Sequence, residues 1–293
     1  MKKNIKQQFL AFILIFGTIV IFLLFKIYPM ISASIISFFK WDGFTQMRFI
    51  GFSNFKEAFS DKIFWKSLLN TGIFTILSTA GKMGLGLILA IMLNAKVKGL
   101  TFFRTILFMP VVMSMSAAGL LWTWIYDPNL GLLSSFLTHL HLNFLVTDWL
   151  GNPRIALYSV IVIEIWKWAG FHMIIYLAGL QTINEELYEA AVLDGANTLG
   201  KLFKITVPLL TPYTTINLIM CTMGGLGVFD VIYVVTQGGP FQSTEVIMTY
   251  AYKQAFASGR IGYATSMILL LMVVIIIVSL IQFRMRKVRE EGI

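Results

Sequence analysis

Charge is scarce in this chain of 293 residues: Asp, Glu, Lys and Arg together make up 13% of it, against about a quarter in an ordinary soluble domain. The deficit is gathered into long uncharged runs, which excludes a water-soluble fold for the whole. Cysteine is nearly absent. Cys221 is the single one and sits in an apolar run, so an intrachain disulfide and a cysteine-based metal site are both excluded. Histidine is rare too: His139 and His141 share a loop that offers no further ligands, and no metal site is expected. No nucleophile–base pair and no carboxylate dyad stands out, so the chain is expected not to be an enzyme. The formal charge of +9 would fit nucleic acid, yet its basic residues lie between apolar runs and at the termini. Without a basic stripe interleaved with exposed aromatics, nucleic-acid binding is excluded. Also missing are a Pro/Ser linker, a low-complexity tract and an internal repeat. After Lys2, Lys3 and Lys6 an apolar stretch runs to about Pro29 without an A-x-A-like site, which reads as an uncleaved span rather than a secretory signal.

What the chain has is apolar length: 57% hydrophobic residues and a mean hydropathy of +0.79. Runs of about 20 apolar residues, enough to cross a bilayer, fall at about 9–29, 70–94, 105–126, 155–180, 207–236 and 262–283. They are continuously apolar rather than alternating, and a helix satisfies its own backbone in lipid. The expectation is one all-α, multi-pass membrane domain over 1–293 with six transmembrane helices. Lys and Arg collect at the N-terminus, at Lys96, Lys98 and Arg104, at Lys201 and Lys204, and at Arg284 to Arg289. These segments alternate correctly for one side, which the positive-inside rule makes cytoplasmic, with both termini there. The opposing segment 30–69 also holds five basic residues, mixed with Asp42, Glu57 and Asp61. Residues 41–66 are dense in Phe and Trp, as expected of a helix lying at the interface, and 131–142 reads as a second short surface helix.

Between the fourth and fifth runs lies a polar island, residues 181–206. Asn184 is placed to cap a helix whose first turn carries Glu185 and Glu186. Gly195 is placed to end it, Asn197 or Thr198 to start a second, and Pro208 to open the fifth span. The result is a helix–turn–helix knob. Capping explains Asn184, Gly195 and Thr198. It leaves unexplained the pair Ala190-Ala191 beside Glu189, and the pair Asp194-Gly195. Small residues admit a close partner surface and an acid can be read by a partner's cation, so a docking element and a plain connector both fit. Gly195 to Lys201 also satisfies G-x-x-x-x-G-K, but Leu202 stands where Ser or Thr must hold magnesium, and a helix precedes it where a P-loop needs a strand. Nucleotide binding by this chain is excluded on those grounds.

Ionisable groups within spans are costly and face protein or water. Lys82, Glu164, Lys167 and Asp230 are such groups, with Glu164 and Lys167 spaced to pair along one helix. Gly224, Gly225 and Gly227 interrupt the fifth run, permitting close packing or an opening onto a cavity. Trp166 and Trp168 are mid-span candidates for stacking on sugar rings, whereas Trp122 and Trp124 suit an interfacial belt.

The stretch Tyr188 to Pro212, YEAAVLDGANTLGKLFKITVPLLTP, resembles the coupling motif of binding-protein-dependent ABC importer permeases. Glu189, Ala190, Ala191, Asp194, Gly195, Ala196, Phe203, Ile205 and Pro208 match it position for position. Residues 229–256, with Phe229-Asp230, Tyr233 and Thr236-Gln237-Gly238-Gly239-Pro240, resemble the carbohydrate branch of these permeases, which includes the maltose and oligosaccharide type. Residues 50–55 and 64–71 resemble its first external segment, although Phe52-Ser53 departs from the usual version. The resemblance implies a type I importer fold in a bacterial inner membrane and ATPase coupling through Glu189, Ala190, Ala191, Asp194, Gly195, Ala196 and Pro208. It further implies a second permease, two ATPase subunits holding ATP and magnesium, an extracellular or periplasmic sugar-binding protein, and no cofactor on this chain. A sugar path past Glu164, Trp166, Trp168, Gly224, Gly225, Asp230 and Tyr233 is expected. The alternative is a secondary transporter in which Glu164 or Asp230 carries a proton.

Overall fold

The computed structural model describes residues 15–94 and 99–291, with side chains to Met285. The start of the 9–29 run and the basic residues Lys2, Lys3, Lys6, Lys96 and Lys98 lie outside the described residues. In chain order the elements are α1 (Ile15–Ile36), β1 (Phe39–Lys40), β2 (Arg48–Phe49), α2 (Ser53–Ser60), α3 (Lys62–Leu93), α4 (Leu100–Val112) and α5 (Met115–Ile125). There follow α6 (Leu132–His139), α7 (Ala156–Leu180), α8 (Glu185–Leu193), α9 (Thr198–Leu209), α10 (Thr211–Leu226), α11 (Asp230–Val235), α12 (Ile247–Phe256) and α13 (Ile261–Glu291). Among the described residues, four single helices are long and apolar enough to cross a membrane, and two bent pairs raise the number to six. The chain divides into two compact units, one of residues up to Phe64 with Ala251–Val273, the other of Trp65–Tyr250 with the residues from Val274.

In the first unit a two-residue antiparallel ladder pairs Phe39 with Phe49 and Lys40 with Arg48. Within the stretch 41–66, expected as an interface helix, helix is thus limited to α2 and the first residues of α3, because the Asp42 carboxylate accepts the amides of Phe44 (2.9 Å) and Thr45 (2.8 Å) and Gly43 adopts φ +94°. That Asx-type turn reverses the chain before a helix can start. Asn54, buried on α2, donates to the carbonyls of Ser37 (2.8 Å) and Phe39 (3.0 Å), tying α2 to the end of α1. Gly262 brings α13 against the Phe39 carbonyl where a Cβ would collide, and the Tyr263 hydroxyl donates to Asp61 at 2.7 Å.

In the second unit α7 is the central helix, with 61% of its most apolar window buried within the chain. One apolar core gathers Phe74, Val160, Ile163, Ile232 and Val246, and another gathers Ala90, Met173, Tyr176 and Leu210. The stretch expected as a third span, 105–126, is the pair α4 and α5, bent by 100°. Pro110 lies in the last turn of α4, and Ser114 restarts the chain by accepting the Ala117 amide at 3.2 Å. A proline near a helix end followed by a capping serine stops one helix and begins another.

The expected fifth span, 207–236, is also broken. A 67° bend separates α9 from α10, and α11 is a further short helix. Pro208 therefore does not open the span: it sits near the end of α9, and Pro212 occupies the first turn of α10. Directly before Pro208, Leu202–Thr206 forms a π-turn in which the Val207 amide donates to the Leu202 carbonyl. Proline has no amide for the preceding turn, which explains a widened helix there.

Candidate functional site

A cavity of about 310 Å³ opens among α3, α5, α7, α10 and α11, lined by Lys82, Glu164, Trp168, His172, Gly224 and Asp230 among others. Lys82 Nζ and Glu164 Oε1 are 3.1 Å apart, with the side chains 3% and 9% exposed. This corrects the expected pairing of Glu164 with Lys167. Lys167 points instead at the α4–α5 break, where its ammonium donates to the carbonyls of Pro110 (3.1 Å), Val111 (3.2 Å) and Met113 (2.6 Å). Carbonyls at a helix C-terminus lack intrahelical donors and carry partial negative charge, so a cation there satisfies both. Replacing Lys167 with Met is expected to cost about 1.5–3 kcal/mol, the range for hydrogen bonds to a charged group, read as a lowered unfolding midpoint in detergent.

The other sequence candidates separate. Glu164, Trp168, Gly224 and Asp230 line the cavity. Trp166 does not: its ring meets Trp122 edge-on at 5.5 Å, and Trp122 also packs on Tyr126 at 5.0 Å. Trp122 is therefore packed inside the protein rather than in an interfacial belt, while Trp124 is 53% exposed. Gly225 closes on Thr75 of α3, where a Cβ would stand 2.9 Å from the Thr75 Cα. It serves packing. Tyr233 is not among the lining residues; it stacks on Phe229, which is, at 5.1 Å.

Several lining residues were not expected on the path from sequence: Phe171, His172, Met220, Cys221 and Phe229. A signal was present, since Glu164, Trp168 and His172 recur every four residues along α7, and Met220 and Gly224 do so on α10. His172 Nδ1 lies 2.7 Å from Asn217 Oδ1, and its Nε2 lies 3.2 Å from Cys221 Sγ. The imidazole is thereby held between α7 and α10.

At the end of α7 the polar loop is built by local bonds. Asn184 accepts the Glu186 amide at 3.2 Å, starting α8. At its other end the Ala196 amide donates to Ala191 (2.8 Å) and the Gly195 amide to Val192 (3.0 Å), with Gly195 at φ +79°. This is the glycine-ended wrap of a helix C-terminus. Asn197, rather than Thr198, caps α9 by accepting the Gly200 amide at 2.7 Å. The Tyr188 hydroxyl lies 2.9 Å from that of Thr206, bracing α8 on α9. Glu189, Ala190, Asp194, Gly195 and Pro208 are exposed, and Ala191 and Ala196 are half-buried. Leu193 is 89% exposed, so the knob offers an apolar tip flanked by acids.

Residues 82–287 match the family described as "Binding-protein-dependent transport system inner membrane component". The chain belongs to that family. This permease is 36% identical to the probable ABC transporter permease protein YurN of Bacillus subtilis over 92% of its own length and 94% of that protein's. It is 34% identical to the multiple sugar-binding transport system permease protein MsmF of Streptococcus mutans, over 90% of each chain. The crystal structure of a bacterial alginate ABC transporter, in complex with an alginate pentasaccharide-bound periplasmic protein, contains a chain of the same fold. The TM-score is 0.85 at 27% identity, covering 97% of the permease and 96% of that chain. The permease is thus an ABC-type transmembrane subunit rather than a secondary transporter, and an inner-membrane component.

Proposed function

We propose that this permease forms half of the pathway of a carbohydrate importer in a bacterial cytoplasmic membrane, with both termini and the knob of α8 and α9 in the cytoplasm. A second permease completes the path and an extracellular or periplasmic sugar-binding protein delivers the cargo. Two ATPase subunits hold ATP and magnesium, while this chain hydrolyses no ATP and binds no cofactor. One observation carries the proposal: α7 is a single helix that presents Glu164, Trp168 and His172 to the cavity and ends at Leu180, five residues before α8 begins at Glu185. Displacement of the knob is therefore transmitted along one rigid rod to the cavity wall. Within the cavity, Trp168 and Phe171 offer aromatic faces to the C–H groups of a pyranose, and Glu164, Lys82 and Asp230 offer groups for its hydroxyls. The relatives named for sugars and for alginate support a carbohydrate cargo.

The test is uptake in proteoliposomes holding the full complex. Trp168→Ala should lower sugar uptake about tenfold, equivalent to about 1.4 kcal/mol and within the worth of one aromatic contact, while ATPase subunits still co-purify. Uptake that persists without the ATPases, or that ignores Trp168→Ala across a panel of sugars, would refute the assignment.

A further inference from the structure

The first unit carries two neighbouring hollows with opposite character. One, of about 370 Å³, is apolar and runs along the end of α1, lined by Met30, Ile31, Ile35, Phe38, Phe39 and Phe49. The other, of about 500 Å³, is polar and includes Lys40, Trp41, Arg48, Asn54, Arg260 and Tyr263. The β1–β2 ladder divides them. Side chains alternate across a strand, so the Phe39–Phe49 pair, rings 5.3 Å apart, belongs to the apolar hollow and the Lys40–Arg48 pair to the polar one.

Two cations directly opposite on a ladder repel each other. The nearby acids do not relieve them. Asp42 spends its carboxylate on Phe44 and Thr45, accepting two amides and the Thr45 hydroxyl at 2.8 Å. Those donors hold its carboxyl down at about 2, so it stays ionised and engaged. Glu57 pairs with Arg260, whose guanidinium also lies over the Tyr263 ring at 4.4 Å. The Lys40 and Arg48 side chains, both exposed, make no hydrogen bond or ion pair among the described residues.

We propose that this pair of hollows binds an anionic phospholipid, its phosphate between Lys40 and Arg48 and an acyl chain in the groove of α1. A guanidinium fork and an ammonium together suit a phosphate. The groove distinguishes a lipid from a free anion, since a soluble phosphate would leave it unfilled. Its surroundings are those of a membrane boundary: α1 has the composition of a span, with none of its hydrophobic window buried within the chain. Phe44 is 97% exposed and Phe52 66%, and Trp41 lines the polar hollow, a set of aromatics suited to the belts at headgroup level. The site is independent of the cargo.

The experiment uses the full-length permease in neutral detergent, with the unfolding midpoint followed as phosphatidylglycerol, phosphatidylcholine or inorganic phosphate is added. Phosphatidylglycerol should raise the midpoint by several degrees, and the other two should do so hardly at all. In Lys40→Gln/Arg48→Gln the preference for phosphatidylglycerol should vanish, and Ser34→Trp, which fills the groove, should weaken it. Native mass spectrometry should show phosphatidylglycerol retained by the parent and lost from the double variant, a readout that stands whatever the variant's stability. Equal responses to the two lipids, a phosphate response matching that of phosphatidylglycerol, or a double variant that keeps its preference would each overturn the proposal.

Discussion

Glu164→Ala is expected to destabilise the permease by about 3–5 kcal/mol, the cost of leaving a buried cation without its partner. Lys82 is 3% exposed and its recorded polar contact is the Glu164 carboxylate at 3.1 Å, so truncation strands its charge between α3 and α7. Removing both charges in Lys82→Met/Glu164→Leu should restore most of that loss, because apolar replacements of similar volume often match or exceed a buried ion pair. Unfolding midpoints of the two single variants and the double one give the coupling directly. Sugar uptake by the double variant then separates two roles. A stable protein that no longer transports shows that the pair lies on the path, and normal transport shows that it only joins the helices.

Altering the knob should have the opposite profile, with little effect on insertion and a large one on work. Gly195 has open space around its Cα but a φ of +79°. Gly195→Val therefore meets backbone strain rather than a clash, about 1–2 kcal/mol for an ordinary L-residue in that conformation and more for a β-branched one. The cheapest escape is to unwind the turn, which re-aims α8. Glu189→Lys keeps the helix and reverses the charge presented beside Ala190. Both variants should insert normally and lose ten-fold or more of ATP-driven uptake, either with weaker ATPase association or with hydrolysis that no longer follows cargo. Unchanged uptake in both would remove the knob from the coupling role.

The elements of the knob were legible from sequence because their bonds are local. Asn184, Gly195 and Asn197 each act within five residues of themselves, the range in which residue order alone dictates geometry. The positions of the long helices followed from hydropathy for a similar reason, since a span needs only its own length of apolar residues. Breaks inside spans were not visible that way. Composition stays apolar through the 100° bend at Met113–Ser114 and the 67° bend at Leu210, and only Pro110, Ser114 and Pro212 mark them. The Glu164–Lys167 spacing misled because the rule for neighbours along a helix assumes solvent around it. In a buried α7, the partner across the interface decides. Trp166 and Trp168 show the same limit: two residues apart, they point to a neighbouring tryptophan and to the cavity, a difference set by the rotation of α7.

The cross-links of α7 also bear on how the chain is assembled as it leaves the ribosome. Its two charges must enter the bilayer, yet Lys82 and the carbonyls of Pro110, Val111 and Met113 all precede it in the chain. When α7 is inserted, the groups that neutralise Glu164 and receive Lys167 have already been synthesised. Neutral groups of α7 do wait, His172 for Asn217 and Cys221 on a helix still to come. Insertion in order from the N-terminus thus never leaves a formal charge of α7 waiting for a partner not yet made.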